Sequence, residues 1–182
     1  MKNLNLCVSV VISLLFMTSC VGIRTGVDFG SEKDKYDTGE FRASNNLEKA
    51  TTTSTSSETG FYVGVFLTDI PITDDVELEP GINYVSIKDL DLLHAPILIK
   101  YNIDDKFSAS AGPSLSYFLD QPTGLKSVGV GINAGVSYGI MDNFLLEAKY
   151  DLGISNLVEN APSGSSLKLS QFQVGIAYRF EK

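Results

Sequence analysis

The 182-residue chain has no tryptophan, one histidine and two cysteines. Both cysteines, Cys7 and Cys20, lie at its start, so the rest of the chain has no thiol for an internal disulfide, a cysteine-ligated metal site or a nucleophile. One histidine, His94, rules out a histidine-rich metal centre, and a Ser-His-acid triad would have to be built on that side chain at a loop-to-strand junction. No metal and no cofactor is expected. Positive charge is also scarce, with 14 Lys and Arg against 22 Asp and Glu and a net charge of −8. Without a basic cluster the chain has no face for a phosphate backbone, which excludes nucleic acid as a partner. Beyond residue 20 no apolar run approaches the roughly 20 residues of a spanning helix, so insertion into a membrane would have to be as a barrel.

Lys2 precedes an apolar run from Leu4 to Met17 that ends in Thr18, Ser19 and Cys20. Charged, apolar and small residues in that order are those of a secretory signal. The expected division is therefore a signal peptide over 1–20 and one all-β domain over 21–182. Cys20 also stands where an acylated cysteine would, so simple cleavage and lipidation at Cys20 both stay open.

The dominant pattern is alternation with a period of two, the period with which strand side chains change faces. From Ser127 to Ile140 the even positions, among them Val128, Val130, Ile132, Val136 and Tyr138, are apolar, and the odd ones are Gly, Ser or Asn. The split recurs over Phe144–Ile154, Phe172–Phe180, Phe107–Leu119, Ala95–Ile103, Val76–Ile87, Phe61–Leu67 and Gly22–Phe29. Eight segments give the even strand count of a closed bacterial barrel. Thr73-Asp74-Asp75, Asp104-Asp105 and Met141-Asp142-Asn143 read as tight turns. Longer polar links are expected over Ser31–Gly60, Lys88–Leu92, Gln121–Lys126 and Ser155–Ser166. Short turns at one end and long loops at the other are the asymmetry of outer-membrane barrels, which makes 31–60 a long external loop, with its Thr and Ser-rich part from Ala50 to Gly60 mobile.

A soluble ligand-binding barrel would alternate in the opposite sense, with the apolar side chains inside. The polar set here is mostly Gly and Ser, which suits the crowded interior of a narrow barrel better than a water-facing surface. Aromatic residues of the apolar face fall in two bands, Tyr101, Phe107, Tyr138, Phe144, Tyr178 and Phe180 near one end, Phe29, Phe61, Tyr84 and Tyr117 near the other. Two such bands are the girdles of a transmembrane barrel. The fold class is thus all-β, an eight-stranded antiparallel up-and-down transmembrane β-barrel, with outer-membrane lipid and the barrel-assembly machinery as its partners.

Several stretches carry a more specific likeness: Val21-Gly-Ile-Arg-Thr-Gly-Val-Asp-Phe-Gly30, Ala95-Pro-Ile-Leu-Ile-Lys-Tyr101, Ala111-Gly-Pro113 and the closing Val174-Gly-Ile-Ala-Tyr-Arg-Phe180. In that order they resemble the outer-membrane β-barrel domain family of Bacteroidota, the porin-family or PorT-like proteins. The resemblance implies an eight-stranded barrel in the outer membrane of a Gram-negative bacterium and carries over no functional residue.

The inward positions hold Arg24, Lys100, Lys149 and Arg179 against Asp28, Glu77, Glu79, Glu147 and Asp151. Charges inside a narrow barrel have to be paired or hydrated. They are expected to form a salt-bridged network that plugs the lumen, with an ion or small-solute path as the alternative. Glu77 with Glu79, or Glu147 with Asp151, have the same-face spacing of an acid and base pair, but no nucleophile or cleft accompanies them, so no catalytic residue is assigned. His94 is expected at a loop edge. Gly129, Gly131 and Gly135 depart from a dinucleotide fingerprint and read as lumen-facing glycines. Pro80 and Pro113, outward by parity, are expected to mark bulges.

Overall fold

A computed structural model describes residues 20–43, 46–88, 90–119, 124–159 and 166–180, with backbone alone for 20 and 35–53. The expected signal over 1–20 lies outside the described residues, save for the backbone of Cys20. Alternating, β-branched and aromatic residues give nine strands among the described residues: β1 (Cys20–Ala43), β2 (Asn46–Thr68), β3 (Ile70–Pro71), β4 (Val76–Ile87), β5 (Leu90–Asn102), β6 (Phe107–Phe118), β7 (Val128–Met141), β8 (Phe144–Gly153) and β9 (Ser166–Arg179). The hydrogen-bonded order is β2-β1-β9-β8-β7-β6-β5-β4-β3, and β2 also pairs with β4. The sheet is therefore closed, with eight long antiparallel strands and the two-residue β3 at one rim. Closure removes the edges that an open sheet would expose.

One end carries the connections at 72–75, 103–106 and 142–143 and is called the turn end. Asp104 shapes one of these turns, its Oδ1 accepting from the backbone N–H of Lys106 at 2.8 Å and of Phe107 at 2.7 Å. Those two donors hold its carboxyl below the usual carboxylate range. The opposite end is the hairpin end.

Three expectations are corrected here. The segment 31–60 is no structureless loop: β1 and β2 pair continuously as far as Ala43 with Asn46, with one register shift between Asp37 and Glu40, so the Thr and Ser-rich stretch is strand. From Thr51 to Thr59 the sequence is Thr, Ser and Glu alone, so hydrophobic alternation could not reveal this strand, while the β propensity of threonine and the backbone ladder support it. The link at Lys88–Leu92 is a tight turn, because Ile87 already pairs with Leu90 and Lys88 takes a positive φ of 50°. Finally, Pro113 sits in an unshifted register opposite Ile132. Opposite Pro80 a bulge does occur, for between the pairs Phe66 with Gly81 and Ile70 with Leu78 the three residues 67–69 face only Glu79 and Pro80. Asp69, in the left-handed region at φ 56°, takes up the extra residue.

Candidate functional site: the barrel interior

The wall presents its apolar side chains outward. Ile23, Val27, Val63, Ile82, Ile97, Ile99, Leu115, Ile132, Leu146 and Ile176 are all exposed. The aromatic residues lie at the two margins of this band. At the turn end Phe144, Tyr178 and Phe180 meet edge to face with centroids 4.9 Å apart, and Tyr101 and Tyr138 are exposed beside them, with Phe107 half-buried. At the hairpin end Phe29 stacks on Phe172 at 6.2 Å, Phe61 meets Tyr84 at 6.3 Å, and Tyr117 is exposed.

The interior is layered. Towards the turn end lies a small apolar cluster of Phe66, Leu145 and Ala177. Next comes an ion quartet. Arg24 Nη2 reaches Glu79 Oε1 at 2.7 Å, Lys149 Nζ reaches Glu147 Oε1 at 2.9 Å and Glu79 Oε1 at 3.3 Å, and Arg24 Nε lies 3.9 Å from Glu147 Oε2. All four side chains are at most 3% exposed, so two cations and two anions balance out of contact with solvent. The Arg24 guanidinium also lies over the Phe66 ring, 4.0 Å from its centroid, a cation–π contact that favours its charge. Nearer the rim, Glu77 accepts from Lys100 at 3.3 Å and from Asn102 at 2.7 Å.

A second polar group lies towards the hairpin end. Asp28 accepts from Gln173 at 2.7 Å, and Asp151 accepts from Ser114 in a very short bond and from Asn133 at 3.4 Å. His94 is not at a loop edge. As part of β5 it points inward, fully buried, with Nδ1 3.2 Å from Ser116 Oγ and Nε2 3.6 Å from Asp151 Oδ2. Ser116, His94 and Asp151 thus stand in the sequence of a triad, but the adjoining cavity of about 10 Å³ holds about one water and no substrate. Above this layer Tyr62, Val85, Ile87, Leu92, Phe118, Leu157 and Leu169 close the hairpin end with an apolar lid.

The predicted charged residues therefore fall into separate groups. Arg24, Glu79, Glu147 and Lys149 meet in the quartet. Lys100 and Glu77 pair beside it, and Asp28 and Asp151 belong to the upper layer. Arg179 joins neither, since its guanidinium donates to the Asp142 carbonyl at 3.0 Å on the turn-end rim. Sequence reasoning missed the lid and the inward place of His94; parity sets Ser114, Ser116, Asn133 and Gln173 on the inward face but does not join them into a group. It also left Tyr62 and Phe66 unassigned, although their parity with Gly64 marks them as inward. Glycines make room for these large groups: a Cβ on Gly175 would lie 2.3 Å from the Tyr62 hydroxyl, and one on Gly22 equally close to the Phe66 ring. Gly131 and Gly135 do the same for Asp151 and Lys149.

Closed antiparallel ladder, apolar exterior and polar interior together make this an eight-stranded barrel of the outer-membrane type. Among solved structures the chain is similar to Neisserial surface protein A at 14% identity: the alignment covers 87% of this chain and 97% of that one with a TM-score of 0.50. It also aligns with the outer membrane protein OprG from Pseudomonas aeruginosa (14% identity, 91% and 97% covered, TM-score 0.47) and with Ail of Yersinia pestis in a phospholipid nanodisc (11%, 89% and 99%, 0.47). No protein-family profile and no curated protein matches the chain.

Proposed function

We propose that the protein is a non-enzymatic barrel of the Gram-negative outer membrane, exported by the signal at 1–20, with a plugged interior and with segments of its hairpin end displayed outside for envelope structure or partner contact. The finer kinship with PorT-like barrels of Bacteroidota is part of this reading. One observation carries it: an apolar wall encircles a charged interior, with an apolar cluster above it at the hairpin end and a smaller one towards the turn end. Such a wall is compatible with hydrocarbon and not with water, and stable insertion there requires a closed barrel. The quartet fills the lumen with paired charges rather than leaving a hydrated path, which supports plug over pore. The water-sized space at Ser116 supports a non-enzymatic reading.

The test has two parts. Extracted from the outer-membrane fraction in mild detergent, the unboiled protein should migrate differently from the boiled protein, and in a planar bilayer it should give no conductance steps. Recovery in the soluble fraction would overturn the membrane assignment. Discrete steps would replace the plug with a narrow channel for ions or small solutes.

A further inference from the structure

The projecting sheet has two edges, and the protein treats them differently. Beyond the barrel rim the sheet is three-stranded, β2–β1–β9, with β9 accompanying β1 as far as Lys35 opposite Ser166. The β9 edge is covered by the connection that leads into it from β8: Leu157 N–H donates to the Leu167 carbonyl at 2.9 Å, and Leu167 N–H donates to Asn156 Oδ1 at 3.1 Å. On the other side β4 stops where Ile87 pairs with Gly60. Among the described residues no strand pairs with the β2 edge from Ser54 to Thr59. That stretch holds no proline, no glycine and a single charge, Glu58, so it lacks the devices that normally keep an exposed edge from accepting another strand.

At the foot of this edge lies a cavity of about 240 Å³. Ile87, Leu90 and Leu169 line it with apolar surface, and its charged residues are Glu32, Glu58 and Lys88, two acids to one base. Lys88 pairs with Glu58 at 2.8 Å, while burial and the nearby Asp34 and Glu58 push the Glu32 carboxyl up. An incoming strand in line with β4 would place alternate side chains over this cavity.

Building on the external placement of the hairpin end, we propose that the Ser54–Thr59 edge of β2 is a docking site for an extended polypeptide segment of basic and aliphatic character. The segment adds as an antiparallel strand in line with β4, one aliphatic side chain entering the cavity and a Lys or Arg two positions away meeting Glu32 and Glu58. The main-chain ladder supplies attachment, and the acidic residues and apolar lining supply selectivity.

The experiment uses the full barrel in nanodiscs and a fluorescent peptide, Thr-Val-Lys-Thr-Leu-Thr-Val, compared with the same peptide carrying Glu in place of Lys. Anisotropy should show saturable binding of the first peptide, weaker by about tenfold or more for the second, the scale of one lost charge-assisted contact. The Ser56→Lys, Glu58→Lys double variant should invert that preference while keeping heat-modifiable migration, which separates failure of the site from failure of the barrel. Equal binding of both peptides, or binding of neither, overturns the proposal. So does self-association of the barrel that the double variant abolishes, because the occupant is then a second copy.

Discussion

The quartet in the lumen, set on β1, β4 and β8, and the hairpin of β1 and β2 above it share the strand β1, yet the charges in the two places are held in opposite ways. In the lumen Arg24 and Glu79 are almost fully buried and fixed by partners 55 residues apart. On the projection Lys88 and Glu58 pair at a similar distance but stand 60% and 45% exposed. The contrast teaches that position along a strand, not the chemistry of the pair, decides whether an ion pair matters to stability: the exposed pair is worth about 0–1 kcal/mol, whereas breaking a buried one costs several.

The largest effect expected from breaking this contrast is at Arg24. Arg24→Met leaves Glu79 and Glu147 to share Lys149, and should lower stability by about 3–5 kcal/mol, read as a lower urea midpoint of the heat-modifiable band. Adding Glu79→Met should recover a large part of the loss. An unchanged midpoint in the single variant would remove the quartet from the account of the interior. Next in size is a charge on the wall. Ile132→Arg, in the middle of β7, should cost about 2–4 kcal/mol when the barrel is in lipid, while Thr55→Arg on the projection should fall within about 0.5 kcal/mol of the parent. Equal penalties at the two sites would mean that the apolar band does not face hydrocarbon. The smallest effect concerns the Asp104 turn. A carboxyl held below its ordinary range contributes stability that is present above the unfolded-state value and is lost as the pH falls through the folded-state one. The parent should therefore lose slightly more stability on acidification than Asp104→Asn, a difference measurable by comparing their urea midpoints at neutral and acid pH.

How much of this could be read in the sequence follows from what each region must satisfy. The wall was legible because lipid on one side and a crowded lumen on the other force every second residue to be apolar, as in Val128 to Ile140. The projecting hairpin was not, because Thr51 to Thr59 is Thr, Ser and Glu throughout and leaves no period to detect. The lid escaped notice because Val85, Leu92 and Leu169 are apolar residues at inward positions, against the polar-inside rule for the rest of the lumen. His94 is illegible for a related reason: with Leu90, Leu92 and Leu93 all apolar, the start of β5 shows no clear parity, and nothing local marks the tight turn at Lys88. The pairing of Arg24 with Glu79 depends on strand stagger, which no local pattern encodes.

The ladder between β1 and β9 sets Gly22 beside Arg179, so the first and last strands of the barrel are ordinary neighbours. Seen around the ring, neither has a privileged place. Joining the two by a short linker and opening the chain at the Lys88 turn would preserve every rung of the wall, which makes the order of strands along the polypeptide a matter of how the barrel is written rather than of what it is.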